Sequence, residues 1–217
     1  ASAGVLYSYD AAPPPSGKTG GYGNAISNFA TSYDTNGFLT LSVGLAGKDV
    51  SDDGFWYVVN AGGNPKGVAD ELAIIYGDVA NQRLTTYVYN GANSDNSFDS
   101  PGILLDSTTG DLVQTADGYT FTLDVRGING RSDIGPNFVG AQFADELGIW
   151  FHPFADSMFT YGEDGSILSL DRSRSGYFDV GFLDTISGPS EFVPAPGALA
   201  LLGFGVLGLA ARRRRAA

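Results

Sequence analysis

The sequence predicts an all-β fold, a two-sheet antiparallel sandwich of jelly-roll type followed by a C-terminal hydrophobic helix. Apolar or alternating runs recur about every 8 to 15 residues and are separated by Gly, Asn and Asp, which favour turns. The 24 acidic residues include only four Glu, the acidic residue that favours helices. Before Gly197, no stretch shows the 3.6-residue apolar period of an amphipathic helix.

Twelve runs have the composition of strands. The first, Val5–Tyr9, is followed by a Pro- and Gly-rich stretch, 10–24, that predicts a loop or an extended arm. The later predicted strands are Ala25–Tyr33, Phe38–Leu45, Gly54–Asn60, Glu71–Tyr76, Leu84–Tyr89, Ile103–Leu105, Tyr119–Val125, Phe143–Phe151, Met158–Tyr161, Ile167–Leu170 and Phe178–Leu183. Because no helix separates these strands, they predict two packed sheets.

The predicted strands show two patterns. In Tyr119–Val125 the apolar side chains fall on one face and the Thr and Asp side chains on the other, as in a strand with one buried face. In Phe55–Val59 and Leu84–Tyr89 both faces are apolar or aromatic. These two strands are predicted to be central and covered on both sides, or to line a groove.

The length of this region and its number of strands resemble those of concanavalin-like lectin sandwiches. The resemblance implies a pair of facing antiparallel sheets. It also makes a lectin-like, carbohydrate-binding module an alternative function for the domain.

Charge and composition exclude several functional classes. The chain has 12 basic and 24 acidic residues, and four of the basic residues are arginines near the C-terminus. The rest of the chain is strongly acidic and would repel a phosphate backbone, so nucleic acid is not an expected partner. The absence of Cys excludes disulfides, thiolate zinc sites and a Cys nucleophile. The single histidine, His152, excludes sites that need several histidines.

The C-terminal segment contains a proline motif, an apolar run and a basic cluster, in that order. The motif is Val193-Pro194-Ala195-Pro196, the apolar run extends from Gly197 to Ala211, and the cluster is Arg212-Arg213-Arg214-Arg215. As a helix the apolar run would measure about 22 Å, which spans the ~30 Å hydrocarbon core only with local thinning and arginine snorkelling. The positive-inside rule places the arginines in the cytoplasm and the preceding domain outside.

This order of features resembles the PEP-CTERM sorting signal of Gram-negative bacteria. The family motif is Val-Pro-Glu-Pro; here Pro194 and Pro196 are retained and Ala195 replaces the Glu. The resemblance implies that an exosortase-like membrane protease recognises the segment while it lies in the inner membrane. It further implies cleavage near the proline motif and transfer of the protein to the cell surface. A plain C-terminal membrane anchor is the alternative interpretation.

The start of the chain also predicts export, because Ala1-Ser2-Ala3 matches the small-residue pattern at a signal-peptidase site. We therefore predict an extracellular β-sandwich domain at 1–190 and a sorting signal at 191–217, with its hydrophobic helix at about 197–211. The predicted function is that of an exported surface or extracellular-matrix protein of structural or adhesive type, for example in a biofilm matrix. Extracellular polysaccharide is a candidate partner.

One predicted strand carries a candidate ligand-binding face. By the two-residue period of a strand, Glu146, Trp150 and His152 fall on the same side. An indole ring beside a carboxylate and an imidazole suits the binding of a sugar ring. The interpretation that we favour is a Trp that covers the core and a lone His at a strand end. Trp56 is a second aromatic candidate with the same two interpretations.

Two Asp-rich turns are candidate calcium sites. Asp49, Asp52 and Asp53 lie in the first turn, and Asp95 and Asp99 in the second. Ca²⁺ takes six to eight oxygen ligands, and neither turn has the terminal Glu of the EF-hand pattern. Exposed turn residues are therefore the favoured interpretation, calcium is the alternative, and no other cofactor is expected.

Catalysis is not expected, and a glycan hydrolase is the least favoured alternative. Glycoside hydrolysis uses two carboxylates roughly 5–10 Å apart. The hexapeptides 69–74 and 144–149 agree at five of six positions, so Glu71 and Glu146 would be candidates if their strands were neighbours. A Ser-His-Asp triad would have to use His152, and no Gly-x-Ser-x-Gly elbow accompanies it.

Overall fold

The computed structural model describes residues 4–60, 71–88, 103–127 and 148–180. These ranges contain fourteen strands and one short 3-10 helix, Tyr22–Ala25. The strands are β1 Val5–Ala11, β2 Thr19–Gly21, β3 Ile26–Asp34, β4 Phe38–Leu45, β5 Gly54–Asn60, β6 Glu71–Asp78, β7 Arg83–Val88, β8 Ile103–Thr109, β9 Leu112–Gln114, β10 Gly118–Asp124, β11 Gly148–Ala155, β12 Met158–Tyr161, β13 Ile167–Asp171 and β14 Arg174–Val180.

The strands form two large antiparallel sheets and one hairpin. The five-stranded sheet has the order β1-β3-β4-β10-β9, and the seven-stranded sheet has the order β2-β14-β11-β5-β6-β7-β8. The third element is the hairpin β12–β13. All of the strand pairs are antiparallel, which confirms the predicted all-β, antiparallel class.

The two sheets face each other across one aromatic core. Phe29 of β3 lies 5.3 Å from Phe151 of β11, measured between ring centroids, and Tyr57 of β5 lies 6.2 Å from Phe121 of β10. Along β10 the inward side chains are buried while Thr122 is exposed, as the alternating pattern predicts. Burial of these large rings supplies much of the free energy that holds the sheets together.

A second apolar cluster covers the outer face of the seven-stranded sheet. It contains Trp56 and Val58 from β5, Ile74 from β6, and Ile167 and Leu170 from the hairpin β12–β13. The hairpin therefore covers the strands that the sequence shows to be apolar on both faces. This is the physical reason why β5 and β7 have little of the alternation expected of a half-exposed strand.

The observed elements differ from the sequence prediction in a few places. The stretch 10–24 is more than a loop, because Thr19–Gly21 pairs with β14. The strand predicted to end at Phe151 continues through Pro153 to Ala155. The β11–β14 ladder pairs Phe151 with Phe178 and next Phe154 with Ser175, so Pro153 lies at a gap in that ladder, while on its other side it is opposite Phe55 of β5.

The predicted C-terminal helix, about 197–211, lies outside the described residues. Among the residues that the structure describes, no helix is long and apolar enough to cross a membrane.

Candidate functional site

An open groove of about 670 Å³ lies where the 3-10 helix meets the end of β4 and the start of β14. Its lining comes from three separate parts of the chain and includes Tyr22, Asn24, Ile26, Lys48, Arg174 and Ser175. Its volume falls within the roughly 300–1,000 Å³ range of small-ligand sites.

The groove exists because the 3-10 helix lies directly on β14. A Cβ atom added at Gly176 would lie only 2.0 Å from the backbone nitrogen of Gly23, so only glycine permits this approach. The backbone N–H of Ala46 donates a 2.8 Å hydrogen bond to the carbonyl oxygen of Ala25 and attaches the end of β4 to the helix. These contacts determine the distance between the groove walls.

The groove concentrates positive charge on an acidic protein. Lys48 and Arg174 are two of only six basic residues in the described parts of the chain, and no Asp or Glu of those parts lines the groove. The Arg174 guanidinium lies 5.3 Å from the centroid of the Tyr22 ring, which orients it by a cation–π contact. By contrast, Arg126 forms an ion pair with Asp124.

A buried carboxyl group lies behind the Tyr22 side chain. The Tyr22 hydroxyl donates a 2.8 Å hydrogen bond to Oδ2 of Asp53, and Asp53 is only 2% exposed. The pKa of Asp53 is raised to about 7, chiefly because the carboxyl group is buried; the Tyr22 hydrogen bond and Arg174 partly offset this effect, and Asp156 adds to it. Asp53 therefore titrates near neutral pH rather than near its ordinary value.

The three aspartates of the first predicted calcium turn have different surroundings. Asp49 is exposed and accepts a 3.0 Å hydrogen bond from the Ser51 N–H, which lowers the pKa of Asp49. The backbone carbonyl of Asp52 accepts a hydrogen bond from Ser157, and Asp53 points inward. In the described ranges, no three acidic or histidine side chains converge to hold a metal ion.

The second predicted calcium turn, which contains Asp95 and Asp99, lies outside the described residues. The same holds for Glu146 and for the side chain of Glu71. The similar hexapeptides 69–74 and 144–149 extend into β6 and β11. These two strands lie on opposite sides of β5 rather than next to each other.

The structure brings three of the predicted ligand-binding residues together on the outer face of the seven-stranded sheet. The ring centroid of His152 lies 4.1 Å from that of Trp150 and 5.1 Å from that of Trp56. Both indoles are only 8% exposed, and the Arg172 guanidinium lies 5.2 Å from the Trp56 ring. Among the described aromatic rings at this face, Tyr177 is exposed; it lies 6.4 Å from His152 and is 41% exposed.

Sequence reasoning missed the groove residues and Tyr177. Tyr22 and Lys48 lie in segments whose sequence predicts turns. Arg174 is the first residue of β14, whose start the sequence predicts at Phe178. A weak signal exists in the charge pattern, because basic residues are rare in this acidic chain and Arg172 and Arg174 are only two positions apart.

Comparison with known proteins identifies one family feature. The model of the PEP-CTERM protein-sorting motif matches residues 192–215, which include both prolines and all four terminal arginines. No curated protein and no solved structure matches the chain. The chain is a secreted protein that carries a C-terminal PEP-CTERM sorting signal.

Proposed function

We propose that this chain is a non-catalytic surface or extracellular-matrix protein with a structural or adhesive role. The observation that carries the proposal is the sorting motif at 192–215, because a sorting signal of this kind supports a location outside the cell. Under this proposal residues 1–190 form the extracellular domain, with a jelly-roll-like, concanavalin-like sandwich fold. Residues 191–217 form the signal, which an exosortase-like protease processes while its short helix is in the inner membrane.

The described residues support a non-catalytic role. The single histidine, His152, is half-buried and lies against two indole rings. The carboxyl group with a raised pKa, Asp53, is buried behind Tyr22 and is not presented to a substrate. A general acid needs contact with the reacting group, so this arrangement favours a role in stability.

A carbohydrate-binding role is the second candidate. It is supported by the exposed Tyr177 ring beside half-buried His152 on the sheet face, since aromatic rings stack on sugar rings. The burial of both indoles under the hairpin favours the structural role for Trp56 and Trp150.

Cell fractionation tests the proposed address. The full-length chain is expressed in its native host beside a variant in which Arg212–Arg215 are replaced by Gln, which removes the basic cluster and keeps the chain length. We expect the parent chain at the cell surface or in the matrix, and the variant in the membrane fraction as the uncleaved form. Identical distributions of the two proteins would contradict a role for this segment in sorting.

A further inference from the structure

We propose that the groove formed by Tyr22, Lys48 and Arg174 binds the carboxylate group of an acidic saccharide, such as a uronic acid unit of an extracellular polysaccharide. This inference rests on the proposed adhesive function and names the class of ligand that the adhesive contact would take.

Lys48 differs from the other basic side chains nearby in its contacts. Among the described residues, the Lys48 ammonium group has no hydrogen bond or ion pair. The Arg174 guanidinium lies over the Tyr22 ring and also acts on the buried Asp53, whose pKa it lowers. Two cations in one groove whose described lining contains no acidic residue are suited to an anionic ligand. A guanidinium group can bind a carboxylate through two parallel hydrogen bonds.

Arg83, Arg126 and Arg172 are each held by contacts with other side chains. Arg83 donates a 2.8 Å hydrogen bond to Ser107 and stacks on Tyr161, and Arg126 is paired with Asp124. Arg172 lies over the Trp56 and Phe154 rings. Each of these side chains has a structural contact that accounts for it, whereas Lys48 has none within the described ranges.

The polar residues of the groove favour a saccharide over an acidic peptide. Asn24 and Ser175 line the groove together with the two cations, and Ala25 adds apolar surface. Oδ1 of Asn24 accepts a 2.9 Å hydrogen bond from the Thr19 hydroxyl, so its amide N–H groups are the part that a ligand can use. Sugar hydroxyl groups need such neutral donors and acceptors, and the C–H faces of a sugar ring pack on apolar side chains. Asp53 and Asp156 act on the Tyr22 hydroxyl, but neither lines the groove.

The acidic surface outside the groove adds selectivity. The chain has a formal net charge of −12, so a long polyanion is repelled by most of the surface. Binding is therefore confined to the groove.

Calorimetry or fluorescence titration of the full chain in detergent micelles tests the proposal. The probe is an oligogalacturonate, compared with a neutral malto-oligosaccharide and an oligoglutamate of the same length. We expect the oligogalacturonate to bind and the other two to bind at least about tenfold more weakly, since each lacks one of the two kinds of contact. Equal affinity for oligoglutamate would overturn the saccharide assignment.

Variants locate the site. Lys48→Gln and Arg174→Gln should each weaken oligogalacturonate binding, and the double variant should weaken it at least about tenfold, while Lys48→Arg keeps the charge and most of the affinity. The matched control is Arg126→Gln, which removes the same charge from an arginine that is 66% exposed and outside the groove. Equal losses for Arg126→Gln and Lys48→Gln, or no binding to the parent chain, would overturn the proposal.

These outcomes are independent of the localisation experiment. Lys48→Gln keeps the test valid even if Arg174→Gln impairs folding through loss of the Tyr22 contact. A chain that binds oligogalacturonate but is retained inside the cell would contradict the proposed function alone. A correctly exported chain that does not bind would contradict this inference alone.

Discussion

The Tyr22 hydroxyl donates a 2.8 Å hydrogen bond to Asp53, and this bond joins the 3-10 helix to the turn between β4 and β5. It connects two segments that are 31 residues apart in the chain. Asp53 is buried, and its pKa of about 7 means that it holds its proton at mildly acidic pH. The protein thus contains a carboxyl group whose ionisation opposes folding near neutral pH.

Asp53 should make the protein less stable as pH rises from 4 to 7. Its folded-state pKa is raised above the ordinary value of 3.8, so its contribution is fully present below pH 3.8 and is lost as pH rises through about 7. The loss amounts to about 2–4 kcal/mol. Urea unfolding at a series of pH values should show this slope in the parent chain and a flatter profile in Asp53→Asn.

The control for this measurement is Asp49→Asn. Asp49 is exposed and its pKa is lowered, so its ionisation affects stability below pH 4 and not between pH 4 and 7. Its variant should keep the slope of the parent chain. A slope between pH 4 and 7 that survives in Asp53→Asn would show that another group is responsible.

Tyr22→Phe should raise the pKa of Asp53. The hydrogen bond from Tyr22 lowers that pKa because it stabilises the ionised carboxylate, and phenylalanine cannot donate it. The carboxyl carbon of Asp53, followed by NMR during a pH titration, should report a higher midpoint than in the parent chain. An unchanged or lower midpoint would contradict the role of this bond.

A polar bridge crosses the core between the two sheets. The Thr31 hydroxyl donates a 2.6 Å hydrogen bond to the carbonyl oxygen of Thr40, so the hydroxyl of Tyr57, 2.8 Å away, is the donor to Thr31. Tyr57→Phe removes one bond and should cost about 1 kcal/mol, whereas Thr31→Val leaves the Tyr57 hydroxyl buried without its acceptor and should cost about 2 kcal/mol. Chemical unfolding of both variants gives the two losses of unfolding free energy. A larger loss for Tyr57→Phe than for Thr31→Val would contradict this assignment of donors.

The hairpin β12–β13 should protect both tryptophans from solvent. Leu170 is 8% exposed and packs in the cluster that covers Trp56 and Trp150. Leu170→Ala should cost about 2–4 kcal/mol and increase the quenching of tryptophan fluorescence by acrylamide. Leu168→Ala, in the same strand but 61% exposed, should change neither property. Equal quenching in the parent chain and Leu170→Ala would show that the hairpin does not shield the indoles.

Processing at the sorting signal should leave a shortened protein on the cell surface. The intact mass of protein recovered from the native surface should correspond to loss of the segment after about Pro196. A surface form that retains Arg212–Arg215 would indicate that the segment anchors the protein without cleavage.

The strand pattern could be predicted where alternation and flanking glycines are strong. The predicted limits of β4 and β5, Phe38–Leu45 and Gly54–Asn60, agree with the structure. Thr19–Gly21 and Leu112–Gln114 were not predicted, because three residues are too few to show a period. These short strands exist because neighbouring strands offer them hydrogen-bonding partners, which is information that lies elsewhere in the chain.

By itself, the sequence determined the all-β class and the C-terminal sorting motif, because both depend on local patterns of a few residues. The tertiary structure alone decided which residues share a site. It brought Tyr22, Lys48 and Arg174 into one groove, and it placed Asp53 inside the protein although its neighbour Asp52 is exposed. The physical reason is that burial and charge environment depend on the packing of distant strands, which local spacing does not encode.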